Sequence, residues 1–196
     1  MGTPRKHTTG CAAGARRGTA IIAAGAVMAC AGLAHAQNGF INWETAHVTP
    51  LALTPSGSTL LAVNTADARL EVFDISGASA ASPRWRRSIS VGLDPVSVRV
   101  RSETEAWVAN SISDTVSIVD LPTGHITRTL FPGDEPADIG FAGGRAFVSV
   151  GGLNQVRVYD LNNLGAAPTI LPIVGSDPRA IAVSPDGSKV YVAIFG

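Results

Sequence analysis

The sequence predicts an all-β fold of repeated four-stranded antiparallel sheets, and three observations predict it. Apolar residues alternate with small or polar ones through Trp107-Val108-Ala109-Asn110-Ser111-Ile112-Ser113-Asp114-Thr115-Val116-Ser117-Ile118-Val119-Asp120, whose central residues are turn formers, so the stretch reads as a β-hairpin. Near-copies of that hairpin recur before and after it at a spacing of about 40 to 46 residues. No helix-period segment interrupts the copies, and glycine and proline fall mostly at the joints, where a positive or fixed φ is wanted. A four-stranded tile at this period is the blade of a β-propeller, in which radial repetition leaves only short, protected edges.

In chain order, the first segment reads as a secretory leader. Arg5, Lys6, Arg16 and Arg17 precede an uncharged run from Gly18 to Leu33, and Ala34-His35-Ala36 follows as an Ala-x-Ala cleavage site. Residues 1–36 are therefore expected to be removed between Ala36 and Gln37, leaving a mature chain of 37–196 that is periplasmic or secreted. The apolar run falls short of the roughly 20 residues that cross a bilayer, so the mature chain is expected to carry no transmembrane segment. Two variants stay open: Val27-Met28-Ala29-Cys30 as a lipoprotein box with Cys30 acylated, and Arg16-Arg17 as half of a twin-arginine signal.

Processing changes the composition. Cys11 and Cys30 both lie in the leader, which leaves the mature chain without a disulfide, a Cys-ligated zinc, a thiol nucleophile or a C-x-x-C-H haem attachment in what can be read. The chain carries 15 basic and 15 acidic residues; loss of the four leader cations leaves 11 against 15, a net charge of about −4. That balance argues against a nucleic-acid partner. Arg84, Arg86 and Arg87 around Trp85 are too few to track a phosphate backbone and read as a solvated strand face.

From the mature terminus the blades follow in order, at approximately 48–91, 95–130, 136–174 and 178–196, the last incomplete. In the first, Leu51 to Thr54 is a strand stopped by Pro55-Ser56-Gly57, Thr59 to Val63 the second, Arg69 to Asp74 the third, and Trp85 to Val91 the fourth, after a Gly/Ala/Ser-rich insertion. The second blade gives Val96 to Val100, Glu105 to Ala109, Thr115 to Val119 and Ile126 to Leu130. The third gives Ala137 to Phe141, Arg145 to Val150, Gln155 to Tyr159 and Thr169 to Val174, and the fourth Arg179 to Val183 and Lys189 to Ala193. Leu61-Ala62-Val63-Asn64, Trp107-Val108-Ala109-Asn110, Phe147-Val148-Ser149-Val150 and Tyr191-Val192-Ala193-Ile194 fall in one column.

The column Trp107-Val108-Ala109-Asn110, the strand Thr115-Val116-Ser117-Ile118-Val119-Asp120 and the later Asp177-Pro178-Arg179-Ala180-Ile181-Ala182-Val183-Ser184-Pro185-Asp186-Gly187 resemble the YVTN-type β-propeller repeat of exported bacterial and archaeal proteins. The resemblance covers essentially all of the mature chain. It implies a propeller, and it spans surface proteins, binding modules, lactonase-like enzymes and propellers attached to haem domains. Val150 and Ile194 depart from the family's Asn, so the third and fourth hairpins are expected to be looser. About three and a half blades do not close a ring of four to eight. The chain is therefore expected to be the N-terminal part of a longer protein, with open strand edges able to self-associate.

In a propeller, the loops joining blades and those joining second to third strands gather on one face of the channel. That face would collect Asp94, Asp134, Glu135 and Asp177 from one loop set, and Asn64, Asp67, Asn110, Asp114 and Asn154 from the other. Asp94, Asp134, Glu135, Asp177, Asn110 and Asp114 are the candidate ligand-binding residues, since a ring of oxygen donors suits a cation or a polar ligand. The competing reading is turn chemistry, each carboxylate capping its own loop, and the recurrence of these residues with the repeat favours it. His47 and His125 read as exposed loop or edge residues, and Trp43, Trp85 and Trp107 as blade packing. No nucleophile elbow, H-E-x-x-H, EF-hand or phosphate loop is present in the sequence, and neither a metal nor a cofactor is expected. The residues favour a non-catalytic module that binds a protein, glycan or small molecule. The family's alternatives are a lactonase-like hydrolase and the propeller of a haem-containing electron-transfer protein.

Overall fold

The computed structural model describes residues 45–196; the cleavage site at Ala36 and Gln37, Cys30, Phe40 and Trp43 lie outside the described residues. The first sheet runs in sequence order through β1 (Leu51–Leu53), β2 (Thr59–Asn64), β3 (Arg69–Asp74) and β4 (Arg84–Ser90). The second holds β5 (Pro95–Val100), β6 (Glu105–Asn110), β7 (Thr115–Asp120) and β8 (His125–Leu130), and the third β9 (Pro136–Ala142), β10 (Arg145–Val150), β11 (Gln155–Asp160) and β12 (Thr169–Pro172). A two-stranded sheet of β13 (Pro178–Val183) and β14 (Val190–Ile194) follows. All strand pairs within the sheets are antiparallel, and the sheets do not close on themselves. The architecture is an incomplete β-propeller.

Period-two alternation gives each sheet two apolar faces, and both are used. On the second sheet, Trp107, Ala109, Val116 and Ile118 pack against Ile139, Ala146, Val148 and Val150 of the third. The intervening Ala106, Val108 and Val119, with Val98, pack against Leu61, Leu70, Val72 and Ile89 of the first. Full burial of each large apolar side chain contributes on the order of 1.5–3 kcal/mol. Trp107 adds an edge-to-face contact with Phe141 at 5.3 Å between ring centroids.

A one-residue register shift follows the opening proline in the second, third and fourth sheets, between Pro95 and Ser97, opposite Ser149 and Val150, and between Pro178 and Ile181. Such a bulge re-aims the side chains beyond it, here on the strands that line the centre of the arc. At the start of the chain, Thr49 bridges in parallel to Ser97, tying the entry of the first sheet to the innermost strand of the second.

Two expectations are corrected. Trp85 is 62% exposed rather than packed between sheets, because β4 is an outermost strand; its indole N–H donates to Glu71 Oε2 at 2.8 Å. The third hairpin is not looser for lacking the Asn. It pairs without interruption from Arg145↔Asp160 to Val150↔Gln155, since Val150 is fully buried and a 3-10 turn over Gly151–Leu153 ends in Asn154 at φ 53°.

Candidate functional site

The connections into the second, third and fourth sheets share the pattern Gly-x-acid-Pro at 92–95, 133–136 and 175–178. Their acids, Asp94, Glu135 and Asp177, all adopt left-handed backbone, at φ 57°, 56° and 53°. Asp and Asn tolerate this region better than most residues, and the fixed φ of the next proline starts the strand. The turned carbonyls serve the hairpin alongside: Asp94 accepts the N–H of Ser111 and Glu135 that of Gly151.

The second-to-third-strand turns meet these loops on one face. Asp114 and Asn154 occupy equivalent left-handed positions, at φ 56° and 53°, and each side chain reaches the next connection. Asp114 Oδ1 accepts the N–H of Glu135 at 3.1 Å, and Asn154 Oδ1 accepts the N–H of Asp177 at 2.8 Å. Each turn is thus stapled to the loop that begins the following sheet. In the first sheet the same position is Ala68, at φ 53°, whose methyl group offers no hydrogen bond.

The candidate residues divide into two groups. Asp134, Glu135 and Asp177 come together over the glycines of the third hairpin. A Cβ on Gly151 would lie 2.8 Å from Asp177 Oδ1 and 3.8 Å from Glu135 Oε2, and one on Gly152 would lie 2.5 Å from Asp134 Oδ2. The two glycines therefore make the room these carboxylates occupy. Arg179 Nε donates to Asp177 Oδ2 at 2.9 Å, which offsets part of the local negative charge. Asp94 and Asn110 belong to the neighbouring connection, and both are buried. Asn110 points into its own hairpin, where Nδ2 donates to Thr115 Oγ1 and Ser117 Oγ at 3.0 Å each, while its Oδ1 and Asp94 Oδ2 have no hydrogen-bond partner. Among the described residues, no group of three or more His, Cys, Asp or Glu is arranged to hold a metal ion.

Sequence reasoning missed the charged pair at the centre of the arc. Arg99, on β5, donates from Nε to Asp138 Oδ1 at 2.8 Å and from Nη2 to Asp138 Oδ2 at 2.6 Å, a bidentate pair across two sheets. Nη2 also donates to the carbonyl of Ile181 on β13 at 2.9 Å, and Asp138 Oδ2 accepts the Ile181 N–H at 2.8 Å. Three sheets are thereby joined through two side chains. The Asp138 side chain is wholly buried and that of Arg99 is 32% exposed. A signal was available: counting from the opening proline, the second position reads Ala52, Ser97, Asp138, Ala180 and the fourth Thr54, Arg99, Gly140, Ala182. The two charges are the places where these columns depart from small or neutral residues.

Stacked four-stranded antiparallel sheets around a central axis define the chain as a β-propeller protein, and solved structures bear this out. It is similar to hydrazine synthase from Kuenenia stuttgartiensis, with 23% identity and a TM-score of 0.66 over 79% of this chain and 44% of that one. It is also similar to a putative 6-phosphogluconolactonase from Bacteroides uniformis, with 16% identity and a TM-score of 0.63 over 76% of this chain and 48% of that one. A protein of unknown function from Desulfotomaculum acetoxidans gives 19% identity and a TM-score of 0.61, over 74% and 48% of the two chains. The chain spans less than half the length of each of these structures. No protein-family model and no curated sequence matches it.

Proposed function

We propose that the chain is an exported propeller module of the YVTN type with a non-catalytic binding or scaffold role, part of a longer protein. The observation that carries the reading is the commitment of three channel-face side chains to the loops themselves: Asp114 and Asn154 cap backbone N–H groups, and Asp177 is paired with Arg179. Groups engaged in this way hold a rigid face, which suits recognition of a partner more than proton transfer. Periodic stapling supports a surface whose shape is set by the repeat.

Two measurements test it. Residues 1–40 fused to a reporter active only outside the cytoplasm are expected to export it, with cleavage leaving Gln37 first; a reporter retained inside the cell opposes the exported role. The chain is expected to leave a panel of five- and six-membered lactones, phosphorylated sugar lactones included, unhydrolysed above buffer. Turnover abolished by Glu135→Gln or Asp177→Asn would favour a lactonase-like hydrolase instead, the reading that the convergence of these two carboxylates over Gly151 supports.

A further inference from the structure

The loops and hairpin tips at the acid-Pro end of the second and third sheets carry large apolar side chains at their crests. Leu93, Ile112, Phe131, Leu153 and Val174 are all exposed, from 39% at Leu153 to 97% at Val174. The segments that bear them touch in series. The Leu93 N–H donates to Ser113 Oγ at 3.0 Å, beside Ile112, and Asp114 of the same tip caps Glu135 at 3.1 Å. A Cβ on Gly133, two residues from Phe131, would lie 2.6 Å from Leu153 Cδ1, and the Ile173 N–H, next to Val174, donates to the Asn154 carbonyl at 2.9 Å. These crests lie past the strand ends, so a sheet packed on an open face would not cover them.

The connections at the opposite end of the sheets differ. Among the described residues they expose no large apolar side chain, and Leu121, Leu161 and Leu164 pack against the core. An apolar surface confined to one end and bordered by polar groups marks a place of contact. Acidic groups supply that border. Asp94, Asp114, Asp134, Glu135 and Asp177 belong to these loops, and among the described residues only Asp177 has an ion pair, with Arg179. Asp94 is buried with its Oδ2 unpartnered, whereas Asp134 and Glu135 are exposed, close to Phe131 in sequence and, over Gly151 and Gly152, to Leu153 in space. Such a border repels nucleic acid and anionic lipid and attracts cations. A polypeptide is where cations come joined to apolar side chains, as lysine or arginine beside leucine or phenylalanine.

We propose that this loop face docks a cationic amphipathic segment of a partner protein, whose lysines or arginines meet Asp134 and Glu135 and whose apolar side chains cover Ile112, Phe131 and Leu153. The inference rests on the binding-module reading above and names its class of partner. Attraction to the carboxylates speeds and orients the encounter, and burial of the crests holds the complex.

The test uses the full chain and a fluorescein-labelled helical peptide of lysine and leucine with one apolar face, read by fluorescence anisotropy at about 0.15 M salt. Two companions share its length, one with glutamate for every lysine and one with serine for every leucine. The lysine-leucine peptide is expected to bind at least about tenfold tighter than either. Ile112→Ser with Phe131→Ser is expected to weaken it by about fivefold or more, and Asp134→Asn with Glu135→Gln to do the same while flattening its salt dependence. Asp120→Asn with Asp160→Asn removes the same charge at the opposite end of these sheets and is expected to leave binding within about twofold, with the thermal midpoint checked for every variant. Equal loss from the two carboxylate pairs, equal binding of the glutamate or serine peptide, or no binding to the parent chain would overturn the proposal. Sedimentation with phosphatidylcholine vesicles in place of peptide binding would overturn it too, and would make the crests a lipid contact. Lactone turnover by a chain that still binds the peptide would sink the non-catalytic reading and leave this one standing; a chain that neither binds the peptide nor hydrolyses lactones would do the reverse.

Discussion

Asp138 accepts from Arg99 Nε and Nη2, from the N–H groups of Ile139 and Ile181, and at 3.4 Å from Thr49 Oγ1. A wholly buried carboxylate with every lone pair served is tolerated; one partner without the other is not. Asp138→Ala is expected to lower stability by about 3–5 kcal/mol, because it strands the guanidinium. Arg99→Met combined with Asp138→Leu is expected to cost far less than the sum of the single changes, as judged by urea midpoints in a double-mutant cycle. Carboxylates nearer the surface act through pH instead. In the turn Ser184-Pro185-Asp186-Gly187, the Ser184 hydroxyl first, then the Ser188 N–H and hydroxyl, hold the Asp186 carboxyl down at about 2. The hydroxyl and N–H of Ser76, with Arg86 behind them, likewise hold Asp74 well below the usual carboxylate range. A depressed folded-state value means that the unfolded chain binds the proton more readily, so the contribution is complete above the ordinary value and lost as pH falls through the folded one. The urea midpoint is expected to decline as pH drops from about 4 toward 2, and Ser184→Ala to make that decline shallower.

At the level of elements, the staples divide one position into two separable effects. Asn154 both tolerates φ 53° and caps the Asp177 N–H, so Asn154→Ala loses both and is expected to cost about 2 kcal/mol. Asn154→Gly restores the backbone freedom and is expected to recover about half of that in a denaturant titration. Ala68 offers the converse experiment, since its methyl group sits at φ 53° with no cap to compensate. Ala68→Asn is expected to stabilise the chain by about 1 kcal/mol, by relieving the backbone and supplying the Asp94 N–H with the partner that Asp114 and Asn154 supply to the later connections. An unchanged midpoint would show that the first turn differs from its copies. These hairpins were legible in the sequence because alternation and turn residues are local, and each tile repeats them. The staples were not, because a turn residue and the loop it caps are 21 and 23 positions apart. The same acid-Pro dipeptide reads alike whether its carboxylate faces a ligand or its backbone is capped.

Across the whole molecule, each sheet depends on its neighbours for the burial of its faces, and the two-stranded sheet is the least covered of those described. Tyr191 and Ile194 on β14 and the adjacent Phe195 are exposed, and among the described residues β14 pairs with β13 alone. An apolar strand edge of this kind recruits another strand. Sedimentation velocity is expected to show association that grows with concentration, and Tyr191→Lys with Ile194→Lys to reduce it; a chain monomeric throughout would contradict this. The radial architecture was legible in the sequence from its period, whereas the Arg99–Asp138 pair was hidden by it. Each charge alone is an ordinary strand position, and only the docking of three sheets places them together.

That dependence on docking has a consequence in time. Arg99 meets the Ile181 carbonyl across 82 positions of sequence, a closure that no single sheet can make as it forms. Local hairpins can zip early, but the pair needs the second and third sheets docked and its Ile181 contacts need the fourth as well, so it is expected to be completed late. Damage to it should therefore leave the refolding arm of a chevron nearly unmoved and shift the unfolding arm upward. The two charges act as a latch on the assembled arc, setting how long it stays folded more than how fast it gets there.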